Sequence, residues 1–197
     1  MKNIIINIAL FAVVAFLVYM VWDSINQPLA FAKEKEHREV EVIQRLKDIR
    51  TAQNAYRQMH NSYMGNFDTL IDFLKTGTIP VVKMIPDPTD TTFTKTINDT
   101  LGYVPVIDSI FRPGFNANTL RNVPFSQNAV FEMNAGFITR GGMKVSVFEA
   151  KVPYEVYLQG LDDQRVKNLI AEQEQIDKYP GLRVGSMEEP STDGNWE

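Results

Sequence analysis

Residues that could do catalytic or metal chemistry are few in this chain of 197 residues. It has no cysteine and two histidines, His37 and His60. Disulfides, thiolate metal sites and a cysteine nucleophile are therefore excluded. A hydrolase triad would have to use one of the two histidines, and neither lies near a serine elbow of the form G-x-S-x-G. The sequence therefore predicts that the protein is not an enzyme.

A group of oxygen-bearing side chains is the best candidate for a metal site. Asp87, Asp90, Asn98 and Asp99 carry the hard oxygen ligands that calcium prefers. They lack the regular spacing and the closing glutamate of a calcium loop, so we interpret them as solvated turn residues. We expect neither a metal nor another cofactor.

The acidic pair Asp162-Asp163 is explained first as a helix cap, because aspartate accepts hydrogen bonds from the free N–H groups of a first helical turn. Charge is balanced over the whole chain, with 20 basic and 24 acidic residues. Such a chain has no large positive field with which to neutralise phosphates. We therefore expect protein partners and no nucleic acid.

The N-terminus carries the clearest structural signal. Between Ile4 and Trp22 the sequence is apolar except for Asn7. As a helix this stretch spans about 28 Å, close to the hydrocarbon thickness of a bilayer. Tyr19 and Trp22 lie at its far end, where their amphipathic rings suit the headgroup layer. The pattern predicts a transmembrane anchor over residues 1–27, with the lipid bilayer as its partner.

The charges beside this span give opposing signals for its orientation. Lys2 and the N-terminal amine place the start of the chain in the cytoplasm. Lys33, Lys35 and Arg38 follow the span closely and by themselves favour the opposite topology. We expect a single-pass protein of the inner (cytoplasmic) membrane, with its C-terminal domain periplasmic or extracellular. The alternative is a cleaved signal peptide, because Ala30-Phe31-Ala32 has the small-x-small form of a signal-peptidase site.

Residues 28–75 are expected to form a long amphipathic helix and a short one. Pro28 should interrupt or kink the helix beyond the span, because proline lacks an N–H group and clashes with the preceding turn. The dense mixture of charges over residues 33–41 predicts an exposed segment. A pair between Glu34 and Arg38, four residues apart, supports the helix there.

Apolar residues then recur every three or four positions, which gives the helix an apolar face opposite a charged one. We expect Gly65 to end this helix, Asp68 to cap the short second helix and Gly77 to end that one. The apolar face needs cover, either from the protein's own sheet, which is the favoured interpretation, or from a partner helix. The predicted interaction residues are Val42, Leu46, Ile49, Tyr56, Met59 and Tyr63.

Residues 76–197 are expected to form a loop-rich α+β domain with antiparallel strands. Prolines between residues 76 and 124 argue against long regular elements there. Residues 103–110 contain a proline and are therefore predicted to pair only at a sheet edge.

The most secure strands lie further along the chain, over residues 130–138 and 144–152. Between them Gly141-Gly142 supplies the positive backbone torsions of a tight hairpin turn. A helix from Asp162 or Asp163 to about Lys178, and a short strand over residues 182–184, complete the domain.

This order of elements resembles that of a type IV pilin or a pseudopilin of a type II secretion system. The stretch from Ile49 to Tyr56, then Tyr63 and Phe67–Leu70, is similar to the "A-Q-x-A-Y, x-Y, D-x-L" ending of the long pilin helix. The chain departs from the family in two ways. It has no glycine-phenylalanine pair with a glutamate five residues on, and no carboxylate within the apolar span.

The resemblance implies an α+β, pilin-like fold, in which a long amphipathic helix packs on a small antiparallel sheet. It also implies a non-enzymatic structural or assembly component of a surface or secretion apparatus, whose partners are envelope proteins or further copies of itself. The alternative function is a membrane-tethered extracytoplasmic ligand-binding module. That module would use the loops between residues 80 and 124 and the aromatic residues Phe111, Phe115 and Phe125.

Overall fold

The predicted α+β class is confirmed by the computed structural model, which describes residues 2–86 and 96–197. A long N-terminal helix precedes two small antiparallel sheets. The elements are α1 (Lys2–His60), α2 (Phe67–Thr76), β1 (Thr78–Pro86), β2 (Thr96–Pro105), α3 (Val106–Ile110), a 3-10 turn (Ala117–Arg121), β3 (Glu132–Arg140), β4 (Met143–Pro153), α4 (Tyr154–Tyr157), α5 (Asp163–Gln175) and β5 (Gly181–Gly185).

Helix α1 is continuous over 59 residues, which gives a length of about 88 Å. Pro28 lies inside it, so the prediction that this proline interrupts the helix is wrong. Proline removes the N–H group that would bond to the carbonyl of Ser24, four residues earlier. Ser24 is exposed, so water can take the place of the missing donor.

Helix α1 ends at His60, five residues before the predicted stop at Gly65. The next residue, Asn61, has φ +54°, a left-handed conformation that asparagine tolerates and that ends helices. Its N–H group bonds to the carbonyl of Arg57 at 2.8 Å. The expected stop at Gly65 is wrong because this left-handed residue comes first.

The cap of α2 also differs from the prediction. Asn66, rather than Asp68, lies before the first turn, and its side chain accepts hydrogen bonds from the N–H groups of Asp68 and Thr69. An asparagine cap serves the same purpose as the predicted aspartate, because either side chain satisfies donors that the helix leaves free. Gly77 ends α2 as predicted.

Strands β1 and β2 form a two-stranded antiparallel sheet, of which sequence patterns predicted only residues 103–105, as part of an edge strand. Three prolines lie in it, and Pro80 faces Tyr103 while Pro105 faces Thr78. A two-stranded sheet has two open edges, so prolines fit wherever the missing N–H group would point away from the partner strand. The predicted strand over 103–110 is wrong in its second half, because residues 106–110 form α3.

The second sheet has the order β3-β4-β5, with each neighbouring pair antiparallel. Its predicted hairpin is confirmed, since Gly141 and Gly142 connect β3 to β4 with φ values of +58° and +78°, as a two-residue type I′ turn requires. Strand β5 extends the predicted strand by one residue at each end. Helix α5 begins after Asp162, whose side chain accepts from two N–H groups of its first turn, so the predicted cap is confirmed.

The hydrophobic core lies between the second half of α1 and the β3-β4-β5 sheet, with α2 alongside. We call the folded part that includes this core, residues 31–86 and 96–197, the head. Residues 2–30 of α1 extend beyond it and are called the anchor. A long N-terminal apolar helix followed by a small antiparallel sheet is a pilin-like architecture.

Candidate functional site

The anchor carries large apolar side chains that nothing in the head covers. Those that the structure describes between Ile4 and Leu29 are exposed, and Tyr19 and Trp22 are 64% and 70% exposed. Within the described residues, α1 is the one helix long and apolar enough to cross a membrane, and its most apolar window is not buried at all. Contiguous apolar patches of this size are rare on monomeric soluble proteins. A single N-terminal candidate membrane-spanning helix is therefore present.

The head first contacts α1 at Phe31, which packs against the core, about 14 Å along the helix from Trp22. One helical turn further, the predicted pair forms at 2.9 Å between Arg38 and Glu34. The guanidinium of Arg38 also donates to the backbone carbonyls of Tyr157 and Gln159, at 3.1 and 2.9 Å. The expectation that this segment is exposed is therefore wrong at Arg38, because that side chain is held by the head.

A loop residue with a strained backbone reinforces this junction. Phe125 has φ +60°, a conformation that bulky residues rarely adopt. Its ring centroid lies 5.6 Å from that of His37 and 5.3 Å from the guanidinium carbon of Arg38. Such strain, of order 1–3 kcal/mol, persists only where surrounding contacts hold it. The loop around Phe125 therefore fixes the head to α1 next to the anchor.

The six predicted interaction residues are mostly internal. Val42, Leu46 and Ile49 are fully buried, and Tyr56 and Tyr63 nearly so. Tyr63 lies beyond the end of α1 rather than on it. Met59 is 44% exposed, so it is the only one of the six that a partner could contact without opening the head.

The predicted apolar face is thus covered by the protein itself. It packs mainly against β5, with β4 and α2 beside it. The favoured interpretation, that the chain's own sheet covers the face, is confirmed. A role for these six residues in binding a partner stays a prediction.

One polar side chain lies inside this apolar face. Gln53 is fully buried, and it occupies a stripe position, four residues after Ile49 and three before Tyr56. Its amide donates to the carbonyl of Met64 at 2.5 Å and accepts from the N–H group of Met64 at 3.0 Å. The buried amide therefore ties the chain after α1 back to the helix. The sequence signal for this buried amide is a glutamine at a position where the helical stripe is otherwise apolar.

The two histidines do not share a site. His60 stacks on the ring of Tyr56, with centroids 4.1 Å apart, whereas His37 contacts Phe125. They lie 23 positions apart along α1, which corresponds to about 35 Å. Among the side chains that the structure describes, no three of His, Asp or Glu come together as metal ligands. Asp87 and Asp90, from the calcium-like group, lie outside the described residues, and so do the side chains of Asn98 and Asp99.

The aromatic residues proposed for ligand binding in the loops are divided between two places. Phe111 stacks on Phe115, with ring centroids 3.9 Å apart, and both rings pack against the core. Phe125 instead contacts α1. Each of these rings thus already has an internal partner.

Sequence reasoning missed a cleft of about 500 Å³ between α1, β5 and the C-terminal tail. We call it the tail cleft. Three aromatic side chains line it, Tyr154, Tyr179 and Trp196, together with the basic residues Lys178 and Arg183. Burial raises the pKa of Tyr179 to about 12, with the carboxylates of β3 and β4 adding to the shift, so its hydroxyl is protonated at neutral pH.

The C-terminal tail, which forms one wall of this cleft, is held against the head. Gly194 bridges to Val184 of β5, and Trp196 packs against the core. The carboxylate of Glu197 pairs with Arg50 at 2.8 Å. A tryptophan within a polar tail was the only local sign that this segment is held.

No protein-family model, curated protein or solved structure matches this chain. The pilin-like architecture therefore rests on the geometry of the helix and sheets.

Proposed function

We propose that the protein is a non-enzymatic, single-pass envelope protein that serves as a building block or adaptor in a surface or secretion assembly. In this proposal the anchor crosses the inner membrane and the head lies on its outer side. The observation that carries the proposal is that the exposed apolar anchor and the central helix of the head are one continuous helix.

A continuous helix supports assembly better than tethering. A flexible linker lets a domain search the space around its anchor, whereas α1 runs from the anchor into the core without a break. Contacts at Phe31, Arg38 and Phe125 then hold the head at a set position on the helix. Subunits of an assembly need such a fixed relation between their membrane segments and their heads.

Fractionation with N-terminal sequencing tests the membrane part of the proposal. We expect the intact chain in the inner-membrane fraction, with an N-terminus upstream of Ala32. A mature N-terminus directly after Ala32 would instead identify a cleaved signal peptide, and intact chain in the cytosol would contradict membrane anchoring altogether.

The side on which the head lies can be tested because the chain has no cysteine. A cysteine at the exposed position Gln127 would report on the head, and an impermeant maleimide applied to intact spheroplasts should label it. Labelling only after the membrane is permeabilised would contradict the proposed orientation.

Assembly can be tested by cross-linking in living cells with single cysteines on the exposed anchor, at Val14 and Val18. We expect cross-linked species that contain a second copy of this chain or another envelope protein. A cysteine at the exposed position Lys47, on the head part of α1, controls for random collision. Recovery of monomer alone from both anchor positions would contradict the proposal.

A membrane-tethered ligand-binding module is the second candidate function. The tail cleft is the observation in its favour, since its volume of about 500 Å³ lies in the usual range for small-molecule sites. This binding site differs from the loop site expected from the sequence.

A further inference from the structure

The tail cleft is a concave surface with both apolar and polar walls. It combines the aromatic rings of Tyr154, Tyr179 and Trp196 with polar side chains, those of Glu39, Gln173, Lys178, Arg183 and Asn195. Ligand sites are typically concave and mostly apolar, with a small number of polar groups that fix the orientation of the ligand. The three rings predict a ligand with a flat or branched apolar body.

The cleft also offers a hydrogen-bond donor in the phenol of Tyr179, which lines it. The indole nitrogen of Trp196 has no hydrogen-bond partner among the described residues, but it is buried. Trp196 therefore offers a ligand its ring rather than its N–H group.

Positive charge is available beside these donors. Lys178 and Arg183 are exposed and line the cleft. The nearest carboxylate to the Arg183 guanidinium, that of Glu149, is 3.7 Å away, longer than a hydrogen bond. Arg183 therefore keeps donors that could bind a ligand.

The one carboxylate that lines the cleft is already engaged. Glu39 pairs with Lys35 at 2.9 Å and accepts a hydrogen bond from the hydroxyl of Tyr157 at 3.3 Å. Its charge is thus compensated from within the protein.

We propose that the tail cleft binds a carboxylate attached to an aromatic or branched apolar body. The carboxylate accepts from Lys178 and Arg183, and the apolar body lies against the rings of Tyr154 and Tyr179. The same chemistry is offered by a free organic acid and by the C-terminal residue of a peptide. This site does not depend on the proposed assembly function, and its test is independent of cross-linking.

Phenylacetate is the probe for the test, titrated into the full chain in detergent micelles. A Trp22→Phe substitution leaves Trp196 as the only indole, since the chain has two tryptophans, so indole fluorescence then reports on the cleft. With ten non-hydrogen atoms, phenylacetate should bind with a Kd of about 1 mM or below. The neutral phenylacetamide and the cationic phenylethylamine should bind at least about tenfold more weakly, because they lack the charge-assisted hydrogen bonds.

Substitution of the basic residues provides the second arm. Lys178→Gln together with Arg183→Gln should weaken phenylacetate binding by about tenfold or more, whereas Lys47→Gln, an exposed lysine on α1 outside the cleft, should leave it unchanged. A peptide ending in a phenylalanine carboxylate, compared with the same peptide amidated, distinguishes the two sources of the ligand. Tighter binding of the carboxylate peptide than of phenylacetate identifies a peptide terminus, and the reverse order identifies a free acid.

Three results would overturn the proposal. The first is no saturable fluorescence change with phenylacetate up to about tenfold above the expected Kd. The second is equal affinity for phenylacetate and phenylacetamide, a comparison that needs no substitution in the cleft and so holds even if a charge variant fails to fold. The third is unchanged affinity in a double variant whose circular dichroism matches that of the parent chain.

Discussion

Two arginines at the centre of the anchor should remove the protein from the membrane without unfolding its head. Val13 and Val14 lie midway along the apolar stretch from Ile4 to Trp22, and both are about half exposed. The head first contacts α1 at Phe31. This residue lies about 26 Å along the helix from Val14. Val13→Arg with Val14→Arg therefore changes only what surrounds the anchor.

The size of the effect follows from the composition of the stretch. It contains twelve Ile, Leu, Phe and Val residues, each of which favours insertion by about 0.3–0.6 kcal/mol, for a sum of about 4–7 kcal/mol. An arginine at the centre opposes insertion by about 2.5–3.5 kcal/mol. Replacing two valines by two arginines therefore makes the free energy of membrane insertion less favourable by about 6–8 kcal/mol. This change is as large as the whole favourable sum for the apolar stretch.

The assay is alkaline carbonate extraction of membranes from expressing cells, followed by detection of the chain in pellet and supernatant. The parent chain should stay in the pellet, and the double-arginine variant should move to the supernatant or be lost to proteolysis. Val40→Arg with Val81→Arg is the matched control, because both valines are exposed but lie on the head. That variant should stay in the pellet.

Equal retention of the double-arginine variant and the parent chain in the carbonate pellet would refute the reasoning. It would mean that the head, and not the anchor, holds the protein on the membrane. Thermal unfolding of both chains in detergent provides the check on folding, and we expect the same midpoint within about 2 °C, since no head contact is lost.

Four further outcomes follow from the head. Leu46→Ala should lower the free energy of unfolding by about 2–5 kcal/mol, because it leaves a cavity in the core, whereas Met59→Ala should change it by about 0.5 kcal/mol or less; equal effects in urea titrations would contradict the burial of the stripe. Gln53→Leu should cost about 1–3 kcal/mol for each backbone group of Met64 left unpaired, and a neutral result by the same titration would contradict that role. The pKa of Tyr179, raised from 10.0 to about 12 in the folded head, means that folding favours its protonated form. Stability from this group is therefore complete below pH 10 and is lost as the pH rises to 12, so Tyr179→Phe should flatten the fall in unfolding free energy over that range.

Local patterns predicted the elements whose formation depends on nearby residues. The sequence predicted the hairpin at Gly141-Gly142, the cap at Asp162 and the end of α2 at Gly77, because each depends on the conformational preference of one or two residues. It also predicted the apolar stripe of α1, since helical spacing alone identifies the face of a helix that is buried.

Two of the predictions that were wrong depended on what surrounds a residue. Pro28 does not interrupt α1, and Ser24, whose carbonyl it leaves without a helical donor, is an exposed residue that water can reach. Strands β1 and β2 form in spite of their prolines, because each strand has only one neighbour and an open edge can accept a residue without an N–H group. Sequence spacing does not show how many neighbours a strand has.

The sequence by itself determined the apolar anchor, the amphipathic stripe that follows it, the β3-β4 hairpin and the start of α5. These properties depend on composition and on spacing along the chain, and both can be read without coordinates. Only the tertiary structure decided that anchor and head share one helix, that Gln53 bonds to Met64, and that the tail brings Trp196 to Tyr154 and Tyr179. Contacts between residues far apart in sequence leave no periodic signal, because they depend on how the chain folds back on itself.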